Sequence, residues 1–202
     1  MAIQILRDIK GLRVQAIHPN DPEGKQLVDH LKRIGCFVET TRPIPEAYSD
    51  NVDLVLLTIE QEDRDGLLKL MKSRADSPPT VVAIVGYENP STLSLLLESG
   101  ALAVIERPLK PFGLLTQIAL ARSLWLERKE QARRLRKLER KLNGIQQIQK
   151  AKTILMANQG VSEEEAFQTI RRQAMSKRVP MEEMASAIIN ANELLNFRAD
   201  GA

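Results

Sequence analysis

The sequence of 202 residues is poor in the side chains that most often carry chemistry. It contains one cysteine, Cys36, and two histidines, His18 and His30. A single cysteine cannot form an internal disulfide, so a reducing cytoplasm is the expected location. Neither histidine has a partner at the spacing of a metal site, and no glycine-rich phosphate loop follows a predicted strand. We therefore expect no catalytic residue, no metal and no cofactor, and an enzyme is not predicted.

Aromatic side chains and long apolar runs are also scarce. The chain has only one Trp, two Tyr and four Phe, and Phe167 is expected to be buried. Base stacking on an aromatic platform is therefore not predicted. The N-terminal apolar runs are short and broken by Gln4, Arg7 and Asp8, which predicts neither a signal peptide nor a membrane span. The 43% apolar content suffices for two cores, and a pI near 9.1 is compatible with a nucleic-acid partner.

Short apolar segments alternate with helical patterns over the first part of the chain. Leu27, Val28, Leu31 and Ile34 have helical spacing and precede Gly35, where that helix is expected to end. A buried strand is predicted at residues 12–17, further mostly apolar strands at 52–59, 80–85 and 102–105, and a weaker strand at 37–40. This alternation predicts an α/β domain with a five-stranded, flavodoxin-like parallel sheet.

The order of these elements resembles response-regulator receiver domains, in which an acid pair, a phosphoacceptor aspartate and a lysine follow successive strands. The matching positions here are His18 and Pro19, Thr58, and Arg107. Aspartyl phosphorylation needs a carboxylate nucleophile and a divalent cation held by oxygen ligands, so we predict a pseudo-receiver. Asp53 is expected about 16 Å away, at the other end of its strand. In the alternative, Asp21 enters the site and Thr58 is phosphorylated.

A long charged helix is predicted from Pro111 onwards. Residues 122–152 contain eleven Lys and Arg but only three acidic residues. This excess of positive charge favours a polyanionic partner, although a solvated helix face would explain several of the basic residues. Gly144 lies inside this helix and is a candidate hinge. The heptad seam that predicts a dimeric coiled coil comprises Leu124, Leu135, Leu138, Leu142 and Ile145.

Three helical patterns fill the C-terminal part and predict a helical bundle. Gly160 is expected to end the first helix, and Ser162 with Glu165 forms a capping box for a second helix that runs to Lys177. The apolar positions of the second and third helices are Ala166, Phe167, Ile170 and Ala174, and Met181, Met184, Ala185, Ile188 and Ile189.

This pattern resembles the ANTAR module, an RNA-binding antiterminator domain of bacterial regulators. The matching residues are Ala151-Lys152, Ile154-Leu155-Met156, Gly160, Ser162, Glu165-Ala166-Phe167, Ile170-Arg171 and Ala174-Met175. The resemblance implies RNA contact through Lys152, Arg171, Arg172, Lys177 and Arg178, which phosphate binding and arginine stacking would explain. The alternative is a generic three-helix oligomerisation or capping domain.

The whole chain resembles the AmiR-type positive regulators of amidase operons. Short matching segments include Leu31–Cys36 and Val82–Val85. By this resemblance the chain consists of a pseudo-receiver at 1–121, a coiled coil at 122–147 and an ANTAR domain at 148–202. The resemblance implies a dimer that binds leader-mRNA hairpins and is sequestered by an amide-sensing negative regulator related to periplasmic binding proteins. A non-catalytic dimeric scaffold or a DNA-binding response-regulator-like protein is the alternative.

Overall fold

The computed structural model describes residues 8–73, 78–87 and 89–197. The outermost residues of both predicted terminal domains, with Gln4 and Arg7, lie outside this part of the chain. Internal contacts divide the chain into two units, Met1–Lys129 and Glu130–Ala202. Across the described ranges, none of the helices combines the length and apolar content needed to cross a bilayer.

The first unit contains a five-stranded parallel sheet in the order β2-β1-β3-β4-β5. Its elements are β1 Arg13–Ile17, α1 Pro22–Ile34, β2 Phe37–Thr40, β3 Leu54–Ile59, a 3₁₀ turn Gln61–Asp63, α2 Arg64–Lys72, β4 Thr80–Val85, α3 Pro90–Ser99 and β5 Ala103–Glu106. This strand order is flavodoxin-like, so the predicted fold of this domain is confirmed.

Strands β3 and β4 are buried on both faces, which explains why they are almost continuously apolar, whereas the edge strand β2 is mostly exposed. On one face, Leu54 and Leu56 of β3 belong to a core that includes Leu27 and Leu31 of α1. Val55, Leu57 and Ile59 point to the opposite core because side chains alternate along a strand. Parallel pairing aligns Ile17 of β1 with Leu57 of β3, which brings the carboxyl ends of these strands together.

The part of α4 (Pro111–Gln159) that belongs to the first unit makes polar contacts near the amino ends of the strands. The Nε1 of Trp125 donates to the carbonyl of Pro78 at 2.9 Å. The guanidinium of Arg122 donates to the carbonyl of Asp53 and to Oγ1 of Thr80, both at 3.2 Å. Arg122 also lies 4.5 Å from the centre of the Trp125 ring, within the range of a cation–π contact.

In the second unit, the last part of α4 packs with α5 Glu163–Lys177 and α6 Met181–Phe197. Ser162 and Glu165 form the predicted capping box, and Gly160 has a φ of +67°. The core contains Ala151, Leu155, Ala166, Ile170, Ala174, Met184, Ala185 and Ile189. The predicted helical bundle is therefore confirmed.

Gly144 does not interrupt α4 as a hinge would; the helix is continuous through this position. The glycine is buried, and a Cβ built on it would lie 2.6 Å from Cγ of Glu182 in α6. Its missing side chain therefore allows α6 to begin close to α4, a function that helical periodicity alone does not reveal.

Candidate functional site

The carboxyl end of the sheet is organised around the guanidinium of Arg107, which follows β5. Its Nη2 donates to Oδ2 of Asp21 at 2.7 Å, and its Nε donates to Oε2 of Glu23 at 2.6 Å. Its Nη1 donates to Oε1 of Glu60 at 3.2 Å. We call these four residues the Arg107 cluster. One side-chain cation thus binds three carboxylates from two different loops.

Backbone structure places each carboxylate of the Arg107 cluster. Asp21 is the N-cap of α1, where its Oδ1 accepts from the amide of Gly24 at 2.6 Å. Glu23 lies in the first turn of α1, and its second oxygen accepts from the amide of Leu109 at 2.6 Å. Glu60 follows β3 directly. The topology of the sheet therefore brings these side chains together from distant points in the sequence.

The cluster keeps Asp21 and Glu23 ionised. Burial alone would raise the pKa of Asp21, but hydrogen bonds from Gly24 and Arg107 outweigh it and hold that pKa below its ordinary value. Burial also acts to raise the pKa of Glu23, and hydrogen bonds from Leu109 and Arg107 likewise lower it overall. At neutral pH Asp21 and Glu23 are therefore charged, and both are hydrogen-bonded to a covalently attached cation.

His18 and Thr58 occupy the positions at which receivers carry an acid and the phosphoacceptor. Both are buried, and neither Nε2 of His18 nor Oγ1 of Thr58 has a hydrogen-bond partner among the described residues. Pro19 contributes only its carbonyl, 2.9 Å from Nδ1 of His18. Thr58 is only 2% exposed, so its hydroxyl is not accessible to a phosphoryl donor. It also lacks the carboxylate nucleophile that aspartyl phosphorylation needs.

Asp53 lies at the opposite end of the sheet from the Arg107 cluster. Its Oδ2 accepts from the backbone amide of Arg13 at 3.0 Å, at the beginning of β1. This acid is therefore separated from the cluster by the length of a strand, in the arrangement expected from the sequence.

The acids around Arg107 are the residues that sequence reasoning missed. Glu23 and Glu60 were not considered, and Asp21 was considered only as a substitute phosphorylation ligand. Their positions just after predicted strands contain the useful signal, because the carboxyl ends of parallel strands meet at one edge. Which of these acids forms hydrogen bonds with Arg107 depends on the conformation of the loop after β1. The spacing of residues along the sequence does not determine that conformation.

A second candidate site is the cationic surface of α5 and its C-cap. Arg171, Arg172, Lys177 and Arg178 are exposed. Within the described ranges, no ion pair forms at any of these four side chains. Their positive charge is thus directed to solvent and available to an anion.

Lys152 differs from the other four bases. Its side chain is only 12% exposed, and its Nζ forms an ion pair with Glu163 at the start of α5. This ion pair lowers the pKa of Glu163. Lys152 therefore joins α4 to α5 in this structure, and any further contact would compete with Glu163.

Phe167 lies in a different environment from the one predicted. It is half-buried rather than buried, and it is not among the side chains that form the bundle core. The reason is its position at the edge of the apolar stripe of α5, next to the fully buried Ala166 and Ile170. An aromatic edge is thus present on the surface that carries Arg171.

The predicted dimerisation seam is mostly exposed in the single chain. Leu135, Leu138, Leu142 and Ile145 are 57%, 63%, 56% and 66% exposed, whereas Leu124 is half-buried. These apolar side chains have heptad spacing along α4, so the last four form one exposed apolar stripe of the helix.

Comparisons with known proteins cover both units. Residues 12–122 match the family described as AmiR, N-terminal, and residues 136–189 match the ANTAR domain. The aliphatic amidase regulator of Pseudomonas aeruginosa is 30% identical over 93% of this chain and 96% of its own length. The transcriptional regulatory protein PdtaR of Mycobacterium tuberculosis is 24% identical over 68% of this chain and 67% of its own length.

Among solved structures, a receiver domain protein from Methanospirillum hungatei has 20% identity and a TM-score of 0.48, covering 59% of this chain and 99% of that chain. The family matches together span most of the sequence, and the proteins they describe are regulators rather than enzymes. The chain belongs to the AmiR family of transcription regulators, with a receiver-like N-terminal domain and an ANTAR domain.

Proposed function

We propose that the chain is an RNA-binding transcription antiterminator that acts in the cytoplasm on leader-mRNA hairpins. The observation that carries this proposal is the exposed group Arg171, Arg172, Lys177 and Arg178, which has no intramolecular counter-charge among the described residues. Guanidinium groups bind phosphate through two parallel hydrogen bonds and stack on bases, which suits both parts of an RNA hairpin. The kinship with an aliphatic amidase regulator suggests an amidase operon as the target.

We further propose that the chain acts as a homodimer held by the seam of α4. Pairing two chains would bury Leu135, Leu138, Leu142 and Ile145, whose exposure otherwise leaves four large apolar side chains in water. In a parallel pair, the flanking heptad positions hold Arg134 and Glu139, which have opposite charges. Leu138→Asn should convert the dimer to a monomer in sedimentation equilibrium, whereas Arg140→Gln, on the outer face, should leave the mass unchanged.

Control by sequestration, rather than by phosphorylation, is the corresponding proposal for the receiver-like domain. Thr58 is buried and Arg107 already satisfies the neighbouring carboxylates, so this domain is suited to contact and not to phosphoryl transfer. We propose an amide-sensing partner related to periplasmic binding proteins. Size-exclusion chromatography should show a complex with such a protein that dissociates when the amide is added; an amide-insensitive complex would contradict the proposal.

The experiment that tests RNA binding uses the full chain and its own upstream leader transcript. If four bases each neutralise one phosphate, raising the salt concentration fourfold should weaken binding about a hundredfold. Arg171→Ala should reduce affinity while the circular dichroism spectrum and melting temperature stay unchanged. Equal affinity for random duplex DNA would instead favour the DNA-binding or scaffold alternative.

A further inference from the structure

One side of α5 combines apolar and guanidinium groups in a way that the charge pattern did not predict. Phe167, Arg171 and Met175 are four residues apart in turn, so they follow one another along a single face of α5, and Arg178 is the C-cap residue just after that helix. Phe167 is half-buried, Met175 is 70% exposed, and both arginines are exposed. We call this set the α5 stripe.

The stripe is held in a fixed position by the elements around it. The capping box of Ser162 and Glu165 fixes the start of α5, and Ile170 and Ala174 pack into the core beside the stripe. At its other end, Arg178 is the C-cap residue with a φ of +55°, and its amide donates to the carbonyl of Met175. The stripe is therefore presented by a well-anchored helix and not by a loop.

The composition of the α5 stripe fits unpaired nucleobases better than duplex phosphate. A phosphate-binding surface requires charge alone, but here an exposed thioether and an aromatic edge alternate with two guanidinium planes. Bases that are splayed out of a loop present large flat faces, which stack on aromatic rings and on guanidinium groups. From Phe167 to Arg178 the stripe is about 16 Å long, which matches four or five stacked nucleotides at about 3.4 Å each.

The remaining bases lie outside this face. Arg172 directly follows Arg171, and successive residues of a helix point about 100° apart, so its side chain leaves the stripe. Lys177 is separated from Met175 by two residues and also points elsewhere. This difference divides the four free bases into two pairs with different roles.

We propose that the α5 stripe reads the unpaired loop bases of the RNA, with Phe167 and Arg171 as stacking surfaces, while Arg172 and Lys177 bind phosphates. This inference rests on the proposed RNA-binding function and adds the chemistry by which the target is selected.

The test uses two substitutions that conserve charge and bulk. Phe167→Leu keeps an apolar side chain but removes the aromatic face, and Arg171→Lys keeps the charge but removes the guanidinium plane. With a hairpin from the chain's own leader transcript as the probe, each substitution should weaken binding about fivefold to a hundredfold, without changing the slope of log affinity against log salt. The matched control is Arg33→Lys at an exposed arginine of α1 outside the proposed RNA surface, which should change the affinity less than about twofold.

A second arm removes the bases instead of the protein groups. A synthetic hairpin with abasic loop nucleotides keeps its phosphates and should bind the unsubstituted chain at least as weakly as Phe167→Leu binds the intact hairpin. The two losses should not add, since they report the same contact. Phe167→Tyr should retain full affinity, which keeps the test decisive if Phe167→Leu fails to fold.

The outcomes separate the two proposals. If the unsubstituted chain does not bind the leader hairpin at all, the proposed function fails. If it binds, but abasic loops and both substitutions leave the affinity unchanged, the function stands and the α5 stripe does not read bases. A change of oligomeric mass in Phe167→Leu or Met175→Ala would show that the stripe is a protein–protein surface, and this too would overturn the inference.

Discussion

Replacing Arg107 with methionine tests the interpretation of the carboxyl end of the sheet most directly. Methionine keeps an unbranched apolar side chain about as long as the aliphatic stem of arginine but removes the cation that three carboxylates share. The side chains of Asp21, Glu23 and Glu60 are 31%, 20% and 29% exposed. Solvent therefore only partly screens the repulsion among these three carboxylates once the cation is gone. Charge-assisted hydrogen bonds of this kind contribute about 1 kcal/mol each after allowance for exposure, and we expect Arg107→Met to lower the free energy of unfolding by about 2–4 kcal/mol.

The loss should depend on pH with a defined sign. The pKa values of Asp21 and Glu23 are lowered in the folded chain, so their contribution to stability is present above the unfolded values of about 4. It disappears as the pH falls through the lower folded values. The difference between the native chain and Arg107→Met should therefore be largest near neutral pH and should shrink below about pH 4.

Urea unfolding followed by tryptophan fluorescence measures this difference for the correct unit. Trp125 is the one tryptophan of the sequence and belongs to the first unit. Arg13→Met is a matched control, because the Arg13–Asp53 ion pair lies at the opposite end of the sheet and Arg13 is 54% exposed; its loss should cost less than about 1 kcal/mol. Equal losses in the two variants, or a loss for Arg107→Met that does not change with pH, would refute the reasoning.

Three further predictions concern single positions. Alanine usually adds roughly 1 kcal/mol to the free energy of unfolding when it replaces glycine within a helix, but Gly144→Ala should not, because its Cβ would meet Glu182. In a Glu182→Ala background, thermal unfolding should show this gain for Gly144→Ala. Ser162→Ala removes the capping box and should cost about 1 kcal/mol in the same assay, with no loss contradicting the cap. Acetyl phosphate with Mg²⁺ should leave both mass and oligomeric state unchanged; a mass gain of one phosphoryl group at Thr58 would show that this domain still accepts phosphate.

Much of the fold follows from local patterns in the sequence. The strands from Thr80 to Val85 and from Phe37 to Thr40 have the predicted bounds, because short β-branched runs between turn residues leave little alternative. The helix after Ser162 begins and ends within a residue of its prediction, since the capping box and the run of apolar positions agree. Signals that act within a few residues are therefore the ones that the sequence states clearly.

Contacts between distant segments were less predictable. Arg107 was identified only as a departure from a lysine, because nothing in its neighbourhood indicates that Asp21, Glu23 and Glu60 converge on it. Phe167 has the spacing of a core residue, but it lies at the edge of the apolar stripe, and a period of 3.6 residues does not distinguish an edge from a centre. These side chains depend on how helices and loops approach one another, which local spacing does not encode.

The guanidinium at the end of β5 differs from a dissociable ion in one physical respect, because it is tethered to the chain. Chelators cannot extract it, and dilution cannot lower its local concentration. One positive charge offsets only part of the charge of three carboxylates, but that part is supplied by the fold itself and needs no ion from solution. The cation at this end of the sheet therefore stays in place for as long as the domain is folded.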